Sequence, residues 1–206
     1  MESTQDKLRR QSRRLHTLIY AAFHGVAIGP RTIIGPGASV RCEHGGSIVL
    51  GARCLIHPGA MLLSYGGSIR LGDNVSVNPY SILYGHGGLS IGSDVRIAAH
   101  CVIIPANHGT VLGTCIASQP ESRLGIHIGN DVWIGAGARI LDGSVIESGC
   151  VVAAGAVVTG RLRANGVYGG VPARLLRDRT VTSTKSMREC VNGASAADVP
   201  ALAATT

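Results

Sequence analysis

The sequence predicts a mainly β fold, a narrow prism of about six to seven stacked triangular coils. Two features of its 206 residues favour this class. Aliphatic side chains recur at every sixth position over most of the chain. Glycine is abundant, with 29 residues, while aromatic residues make up only 3%. A core that lacks large rings must be built from thin layers of Ile, Val, Leu and Ala.

The six-residue period holds through five blocks of sequence, and glycine often follows the aliphatic residue. Six residues supply one short strand and one corner, so three repeats close a triangular coil. The aliphatic side chain then points inward and stacks on its counterpart in the next coil, at the strand spacing of about 4.8 Å. The inward positions are Ile28, Ile34, Val40; Leu50, Ile56, Leu62; Leu71, Val77, Leu83; Ile91, Ile97, Ile103; and Ile128, Ile134, Ile140, Ile146, Val152, Val158.

Interruptions of the repeat recur at one corner of the predicted prism. The segments GGSIVLG, GGSIRLG and GGLSIG precede the coils that start at Leu50, Leu71 and Ile91. The fourth return follows a much longer insertion, residues 109–127, which begins immediately after His108. A loop of this length in a compact fold is usually functional, so we expect the site here.

The flanks divide the chain further. We expect a helical cap over residues 1–25, the coils over 26–163, a C-terminal segment over 164–180, and a short C-terminal helix or flexible tail over 181–206. The cap would cover the open edge of the first coil, with the arginines on its other face. The side chains that fall near helical spacing in it are Leu8, Leu15, Leu18, Ile19, Ala22 and Phe23.

The net charge of +7 is concentrated near the two termini. Terminal clusters do not form the basic stripe of a nucleic-acid-binding protein, and the aromatic residues that would stack on bases are scarce. A small polyphosphate is a better partner for this charge. No run of about 18 apolar residues exists, so we expect no membrane span, although peripheral contact stays open.

The six cysteines form no C-x-x-C pair and no metal-ligand spacing. We interpret them as free thiols in a reducing compartment, which favours the cytoplasm. Arg13-Arg14 before an apolar stretch weakly suggests an export signal, but His16, Thr17 and His24 interrupt that stretch. Three cysteines occupy the small inward slot of the repeat and are interpreted as fillers: Cys54, Cys101 and Cys150.

The hexapeptide pattern resembles the left-handed parallel β-helix of the hexapeptide-repeat acyltransferases, over about residues 28–163. The left-handed sense is implied by this resemblance alone, because parallel crossovers are usually right-handed. The segment Gly125-Ile-His-Ile-Gly-Asn-Asp-Val-Trp-Ile-Gly-Ala-Gly137 resembles the polysaccharide and xenobiotic O-acetyltransferase branch. There, a histidine placed like His108 takes the proton from an acceptor hydroxyl that attacks acetyl-CoA. Position alone leaves His108 equally open to being a solvated loop residue.

The resemblance also implies binding residues. The only tryptophan, Trp133, would lie outside the prism as a wall of the acceptor site or as a subunit contact. Asn78 and Gln119 match acceptor-contacting positions, although asparagine also serves turns. The family's lysine after the threonine is absent, and Arg161 is its possible replacement. The implied coenzyme-contacting set is Gly135, Ala136, Ala154, Thr159, Arg161, Arg174 and Arg177.

The resemblance further implies a homotrimer with sites between neighbouring prisms, acetyl-CoA as acyl donor and no metal. The expected function is an O-acetyltransferase acting on a sugar or saccharide-type acceptor. An amino alcohol, an amino sugar, a nucleotide sugar or an antibiotic stays open as acceptor. A zinc carbonic anhydrase on the same scaffold would need an H-x4-H spacing, which the eight histidines do not show. A non-catalytic assembly or binding module is the alternative from another class.

Overall fold

A computed structural model of the chain describes Leu15 and residues 17–179. Helix α1 covers residues 17–24, and one 3-10 turn covers Ile116–Ser118. None of the helices in this described part is long and apolar enough to cross a bilayer. The strands are β1 (Ala27–Ile28), β2 (Ile33–Ile34), β3 (Ser39–Arg41), β4 (Ser47–Leu50), β5 (Leu55–Ile56), β6 (Met61–Leu63), β7 (Ser68–Leu71), β8 (Ser76–Val77), β9 (Ile82–Tyr84), β10 (Leu89–Ile91), β11 (Arg96–Ile97), β12 (Val102–Ile104), β13 (Ile126–Ile128), β14 (Trp133–Ile134), β15 (Arg139–Leu141), β16 (Val145–Ile146), β17 (Val151–Val152), β18 (Val157–Val158), β19 (Arg161–Leu162), β20 (Gly166–Gly169) and β21 (Arg174–Asp178).

The strands form three parallel sheets that close a solenoid of about six turns. Sheet A has the order β1-β4-β7-β10-β13-β16-β19, sheet B begins β2-β5-β8, and sheet C runs from β3 to β18 in the same way. Because neighbours within a sheet are three strands apart in the chain, each strand leads to the next sheet. The predicted mainly β prism is therefore confirmed.

The register also agrees with the predicted repeat. In sheet A, Ile91 lies between Leu71 and Ile128, and sheets B and C pair their aliphatic residues in the same way. Of the predicted inward positions, only Ile28 is partly exposed, and all the others are buried. Stacking aliphatic side chains in register fills the narrow interior without rings.

The buried cysteines are fillers, as predicted. Cys54, Cys101 and Cys150 are fully buried, and each thiol contacts a backbone carbonyl of a neighbouring coil. Burial raises the pKa of all three thiols, because the thiolate would lose its hydration. They are therefore poor nucleophiles. The thiols of Cys42 and Cys115 are also free.

Helix α1 does contact the first coil, but through an unexpected face. The Thr17 hydroxyl accepts a hydrogen bond from the Ile34 N–H at 3.1 Å, and the Tyr20 hydroxyl accepts one from Val40 N–H at 3.0 Å. These bonds satisfy edge amides of β2 and β3, which no strand covers. The apolar residues that were expected to cover the coil point away from it instead: Leu15, Leu18, Ile19 and Phe23.

The C-terminal segment consists of strands as far as the structure describes it. Strand β21 pairs antiparallel with β20, and Arg179 closes the segment by contacting Asp131 at 2.9 Å. A helix is therefore absent from the described residues after 164. The tail expected over 181–206, and the start of the cap before Leu15, lie outside the described residues.

Candidate functional site

The long loop leaves the prism at the turns that lead from sheet C to sheet A, which we name the C–A corner. Its base is closed by two backbone hydrogen bonds, from Asn107 N–H to Ser122 O (3.1 Å) and from Ser122 N–H to Asn107 O (2.8 Å). His108 follows directly, with 65% of its side chain exposed. Its imidazole is therefore held at a fixed point of the loop and remains accessible to a substrate.

A carboxylate that the sequence analysis did not identify lies beside this histidine. Oε1 of Glu121 is 3.9 Å from Nδ1 of His108. Its other oxygen, Oε2, accepts hydrogen bonds from Nε (3.1 Å) and Nη2 (3.0 Å) of Arg123. Glu121 is thus oriented by one basic side chain and faces another. In the sequence, the alternation of Glu121 and Arg123 at the end of the loop could have indicated this arrangement.

A buried aspartate fixes the return of the loop. Asp142 is only 7% exposed, and its Oδ1 accepts a hydrogen bond from Gly125 N–H at 2.9 Å. Its Oδ2 accepts from Leu124 N–H (3.1 Å) and from the Ser122 hydroxyl (2.9 Å). These three bonds hold the chain immediately after Glu121. Asp142 was not predicted from the sequence, because its partners lie 17 to 20 residues earlier, at the end of the loop that interrupts the repeat.

Four rings from successive coils cluster at the same corner. Tyr65 stacks on His86, with ring centroids 4.6 Å apart, and on His44 at 6.2 Å. Tyr84 meets Tyr65 and His86 edge-on. Three of the rings precede the Gly-Gly pairs of the interruptions, a regularity that was visible in the sequence. Two tyrosines and two histidines therefore form a ring cluster on the coils before the loop.

A groove of about 460 Å³ runs along these Gly-Gly pairs and is bordered by His86 and Arg123. Burial lowers the pKa of His86, so its imidazole is held neutral, and its Nδ1 is buried without a hydrogen-bond partner. The groove thus offers glycine backbone groups, two serine residues, one imidazole and one guanidinium. Such a polar lining suits a ligand rich in hydrogen-bonding groups.

The predicted acceptor-site residue Trp133 and the two predicted coenzyme-contacting alanines occupy a different part of the prism. Trp133 lies on the outer face of sheet B between Arg96 and Val151, and 56% of it is exposed, as its outward position predicted. Ala136 and Ala154 lie on consecutive coils at the turns from sheet B to sheet C, the B–C corner, and both are exposed. Small side chains there let a ligand approach the backbone closely.

The backbone at this corner distinguishes two candidate oxyanion donors. The Gly135 N–H donates to Val152 O at 2.7 Å and is used by the coil-to-coil hydrogen bonding. The Ala136 N–H has no hydrogen-bond partner among the described residues. Ala136 is therefore the better placed of the two to donate to a ligand.

Two predicted acceptor residues have structural hydrogen bonds. The Asn78 side-chain amide donates to Ile97 O at 2.7 Å. The Gln119 side chain accepts from Val111 N–H at 2.8 Å and donates to Val111 O and Thr114 O, so it holds the loop together. Their contact with an acceptor stays a prediction.

The candidate phosphate-binding arginines differ in their availability. Nε of Arg161 donates to Oε1 of Glu147 at 2.7 Å, and this bond lowers the pKa of the Glu147 carboxyl. Arg174 and Arg177 lie on the exposed strand β21 and contact only backbone carbonyls, with no acidic partner in the described part of the chain. Thr159 is exposed at the C–A corner, two coils beyond the long loop.

The predicted residues thus form two groups. His108 lies at the C–A corner, whereas Trp133, Ala136 and Ala154 lie at or beside the B–C corner. No hydrogen bond, ion pair or ring contact of the described residues joins His108 to the second group. Among the same residues, no cluster of three or more metal-ligating side chains exists.

Comparisons with known proteins support the repeat assignment. Residues 125–160 match the family model described as bacterial transferase hexapeptide (six repeats). The chain is 33% identical over 97 residues to the putative lipopolysaccharide biosynthesis O-acetyl transferase WbbJ of Escherichia coli K12, a match that covers 43% of this chain and 50% of that protein. The chain spans half or less of the length of the curated relatives it matches.

Solved structures share the fold. AntD, an N-acyltransferase from Bacillus cereus in complex with dTDP and 3-hydroxybutyryl-CoA, has a TM-score of 0.67 at 22% identity, covering 85% of this chain and 93% of that chain. A maltose O-acetyltransferase from Clostridium difficile 630 has a TM-score of 0.53 at 24% identity, covering 86% and 91%. The resemblance to hexapeptide-repeat acyltransferases is confirmed.

Proposed function

We propose that this chain, which carries the bacterial transferase hexapeptide repeat, is an acetyl-CoA-dependent O-acetyltransferase for a hydroxyl of a sugar or saccharide-type acceptor. One observation carries the proposal: His108 is exposed at the base of the long loop, with the Glu121 carboxylate 3.9 Å from its Nδ1. With Nδ1 turned toward a carboxylate, Nε2 is the nitrogen left to accept a proton.

The proposed chemistry is direct transfer within a ternary complex. Nε2 of His108 takes the proton of the acceptor hydroxyl as its oxygen bonds to the thioester carbonyl carbon. The carbon–sulfur bond then breaks, and the imidazolium gives the proton to the departing thiolate. Glu121 stabilises the imidazolium while it is charged, and the Ala136 N–H donates to the carbonyl oxygen as it becomes negative. Holding both substrates together supplies much of the rate.

Acetyl-CoA would lie along the outer surface between the B–C and C–A corners. Ala136 and Ala154 would permit close approach of its pantetheine arm, with Trp133 as an adjacent wall and Thr159 as a further contact. Arg174 and Arg177 are free of acidic partners in the described residues, which favours them as phosphate ligands. Arg161 would first have to leave Glu147.

Because His108 lies on a different corner of the prism from Ala136 and Ala154, we propose that each site is shared by two chains of a homotrimer. His108 of one chain would face the coenzyme groove of its neighbour. The groove bordered by His86 and Arg123 would hold the acceptor, since its backbone and polar side-chain groups can form hydrogen bonds with sugar hydroxyls. A cytoplasmic location is part of the proposal and is supported by the free thiols.

An amino sugar is the second candidate acceptor. Its support is the fold shared with AntD, whose description as an N-acyltransferase shows that this scaffold carries amine acylation. The same base would serve both reactions, so an acceptor panel must include amino sugars, nucleotide sugars, amino alcohols and antibiotics.

A thermal shift measurement with acetyl-CoA distinguishes the enzyme from a non-catalytic module. A ligand at 100 times its Kd stabilises the folded state by about 2.7 kcal/mol. We expect a clear rise in Tm that is reduced in Arg174→Ala and Arg177→Ala. The matched control is Arg53→Ala, which removes an exposed arginine paired with Asp73 on another corner. Absence of any rise in the wild type would contradict the proposal.

A further inference from the structure

Helix α1 presents an apolar face that nothing in the described chain covers. Leu15, Leu18, Ile19 and Phe23 follow helical spacing and are 60%, 59%, 61% and 85% exposed. Large apolar side chains scattered singly on a surface are ordinary, but four on one short helix form a patch.

The orientation of this face is fixed by hydrogen bonds on the opposite side. Thr17 and Tyr20 bond to the backbone of β2 and β3, and Ala21 is buried against the coil. Rotating the helix to bury the leucines would break these bonds and leave edge amides unsatisfied. The outward orientation of this apolar face is therefore fixed by the contacts of α1 with the first coil.

A shallow apolar depression accompanies the patch. It has a volume of about 250 Å³ and is lined by Ile19, Tyr20, Phe23 and His24. Its rings belong to residues that contact one another, with Phe23 edge-on to His24. Tyrosine and histidine at the rim of an apolar surface suit a boundary between hydrocarbon and water.

The sequence directly before this face is strongly basic. Residues 1–14 contain five cations, Lys7, Arg9, Arg10, Arg13 and Arg14, against Glu2 and Asp6. The last of these arginines is covalently adjacent to Leu15. An apolar helical face next to a basic cluster is the combination that binds anionic lipid surfaces. A second copy of the chain would instead bring like charges together.

We propose that the outward face of α1 and the basic segment before it dock the protein on an anionic phospholipid surface. Leu15, Leu18, Ile19 and Phe23 enter the boundary between headgroups and acyl chains, while the arginines contact phosphate groups. The helix lies along the surface, and the prism stands on its first coil. This docking is independent of the acetyl transfer proposed above.

Sedimentation of the full chain with vesicles tests the docking. We expect binding to vesicles of mixed phosphatidylcholine and phosphatidylglycerol, little binding to phosphatidylcholine alone, and release at high salt. Ile19→Ser combined with Phe23→Ser should lower the affinity at least tenfold, and Arg13→Glu with Arg14→Glu should do the same. The matched control, Leu175→Ser with Leu176→Ser, removes two leucines that are 53% and 64% exposed on β21 and should leave binding unchanged.

Three results would overturn the docking proposal: no binding of the wild type to the mixed vesicles, equal binding by the Ile19 and Phe23 double variant, or equal loss in the β21 control. Analytical ultracentrifugation of the same proteins is the second readout. If the Ile19 and Phe23 double variant changes the oligomer size and the wild type does not bind vesicles, the apolar face of α1 is a subunit contact. Because Ile19, Phe23, Leu175 and Leu176 are exposed, the Tm of these two double variants should stay at the wild-type value and exclude misfolding.

Discussion

Nδ1 of His108 and Oε1 of Glu121 lie 3.9 Å apart across the base of the long loop. The antiparallel bridge between Asn107 and Ser122 brings them together, because each residue is adjacent to one member of that bridge. A base that becomes positively charged during the reaction gains from a negative neighbour. In the reaction proposed above, this neighbour would favour proton transfer to the histidine.

Glu121→Gln should separate this electrostatic role from shape. Glutamine keeps the size of the side chain but cannot stabilise an imidazolium by its charge. We expect kcat to fall about tenfold, with KM for acetyl-CoA unchanged, because the variant lacks the negative charge beside the proposed base. Steady-state kinetics measure both values. Asp94→Asn, at a carboxylate bonded to Asn74 on another corner, is the control and should retain wild-type kcat. A Glu121→Gln enzyme with wild-type kcat would remove Glu121 from the mechanism.

Asp142→Ala should loosen the loop that carries Glu121. The amides of Leu124 and Gly125 would lose a charged acceptor, and a hydrogen bond to a charged group contributes about 1.5–3 kcal/mol. We expect a lower Tm, faster proteolysis between residues 109 and 121, and a reduced kcat. Limited proteolysis followed by mass spectrometry reports the loop directly. Asp178→Asn on the exposed strand β21 should change none of these, and an intact loop in Asp142→Ala would refute the anchoring role.

His86 should make stability depend on pH. Burial lowers its folded-state pKa below the ordinary 6.5, so the unfolded chain takes up the proton at a higher pH than the folded chain. Stability should therefore be lost as pH falls through about 6.5 toward the folded-state value. Tm measured at about pH 7.5 and about pH 5.5 should fall less in His86→Gln than in the wild type. The exposed His127 is the comparison, and an equal fall in His86→Gln and His127→Gln would contradict this account.

The thiols should react according to their burial. In a Cys190→Ser background, a thiol reagent added to the native protein should modify Cys115 rapidly and leave Cys54, Cys101 and Cys150 unmodified until denaturant is added. Their pKa values are raised by burial, so little thiolate is present at neutral pH. Peptide mapping identifies the modified residues. Fast labelling of Cys101 in the native state would show that the coil opens.

The prism could be predicted from the sequence because every repeat places an aliphatic residue in the same kind of packing environment. Each inward aliphatic residue, such as Ile97 between Val77 and Ile134, has the same neighbours in every coil. The burial of Cys54, Cys101 and Cys150 could also be predicted, because these cysteines occupy the small inward position of the same repeat. Helix α1 was different, because its spacing defines an apolar face without defining what that face contacts. In the structure, α1 contacts the first coil through Thr17 and Tyr20, whose hydroxyls accept hydrogen bonds from backbone amides at the open edges of β2 and β3.

The site was only partly predictable for a related reason. His108 was marked by the interruption that follows it, whereas Glu121 and Asp142 act through loop contacts that no period describes. Gly-Gly pairs follow three members of the ring cluster of His44, Tyr65, Tyr84 and His86, and they could have indicated it in the sequence. Those pairs were interpreted only as corners of the prism. In the proposed homotrimer, the distance between His108 of one chain and Ala136 of its neighbour would depend on how the prisms assemble, which no local pattern of the sequence describes.

Thiol release from acetyl-CoA with a panel of saccharide acceptors tests the central proposal most directly, comparing wild type, His108→Ala and the control His127→Ala. Removing one general base lowers rates by on the order of 10²–10⁴. We expect that loss in His108→Ala, with coenzyme binding retained in the thermal shift measurement and full turnover in His127→Ala. Turnover by His108→Ala at the wild-type rate would contradict the account.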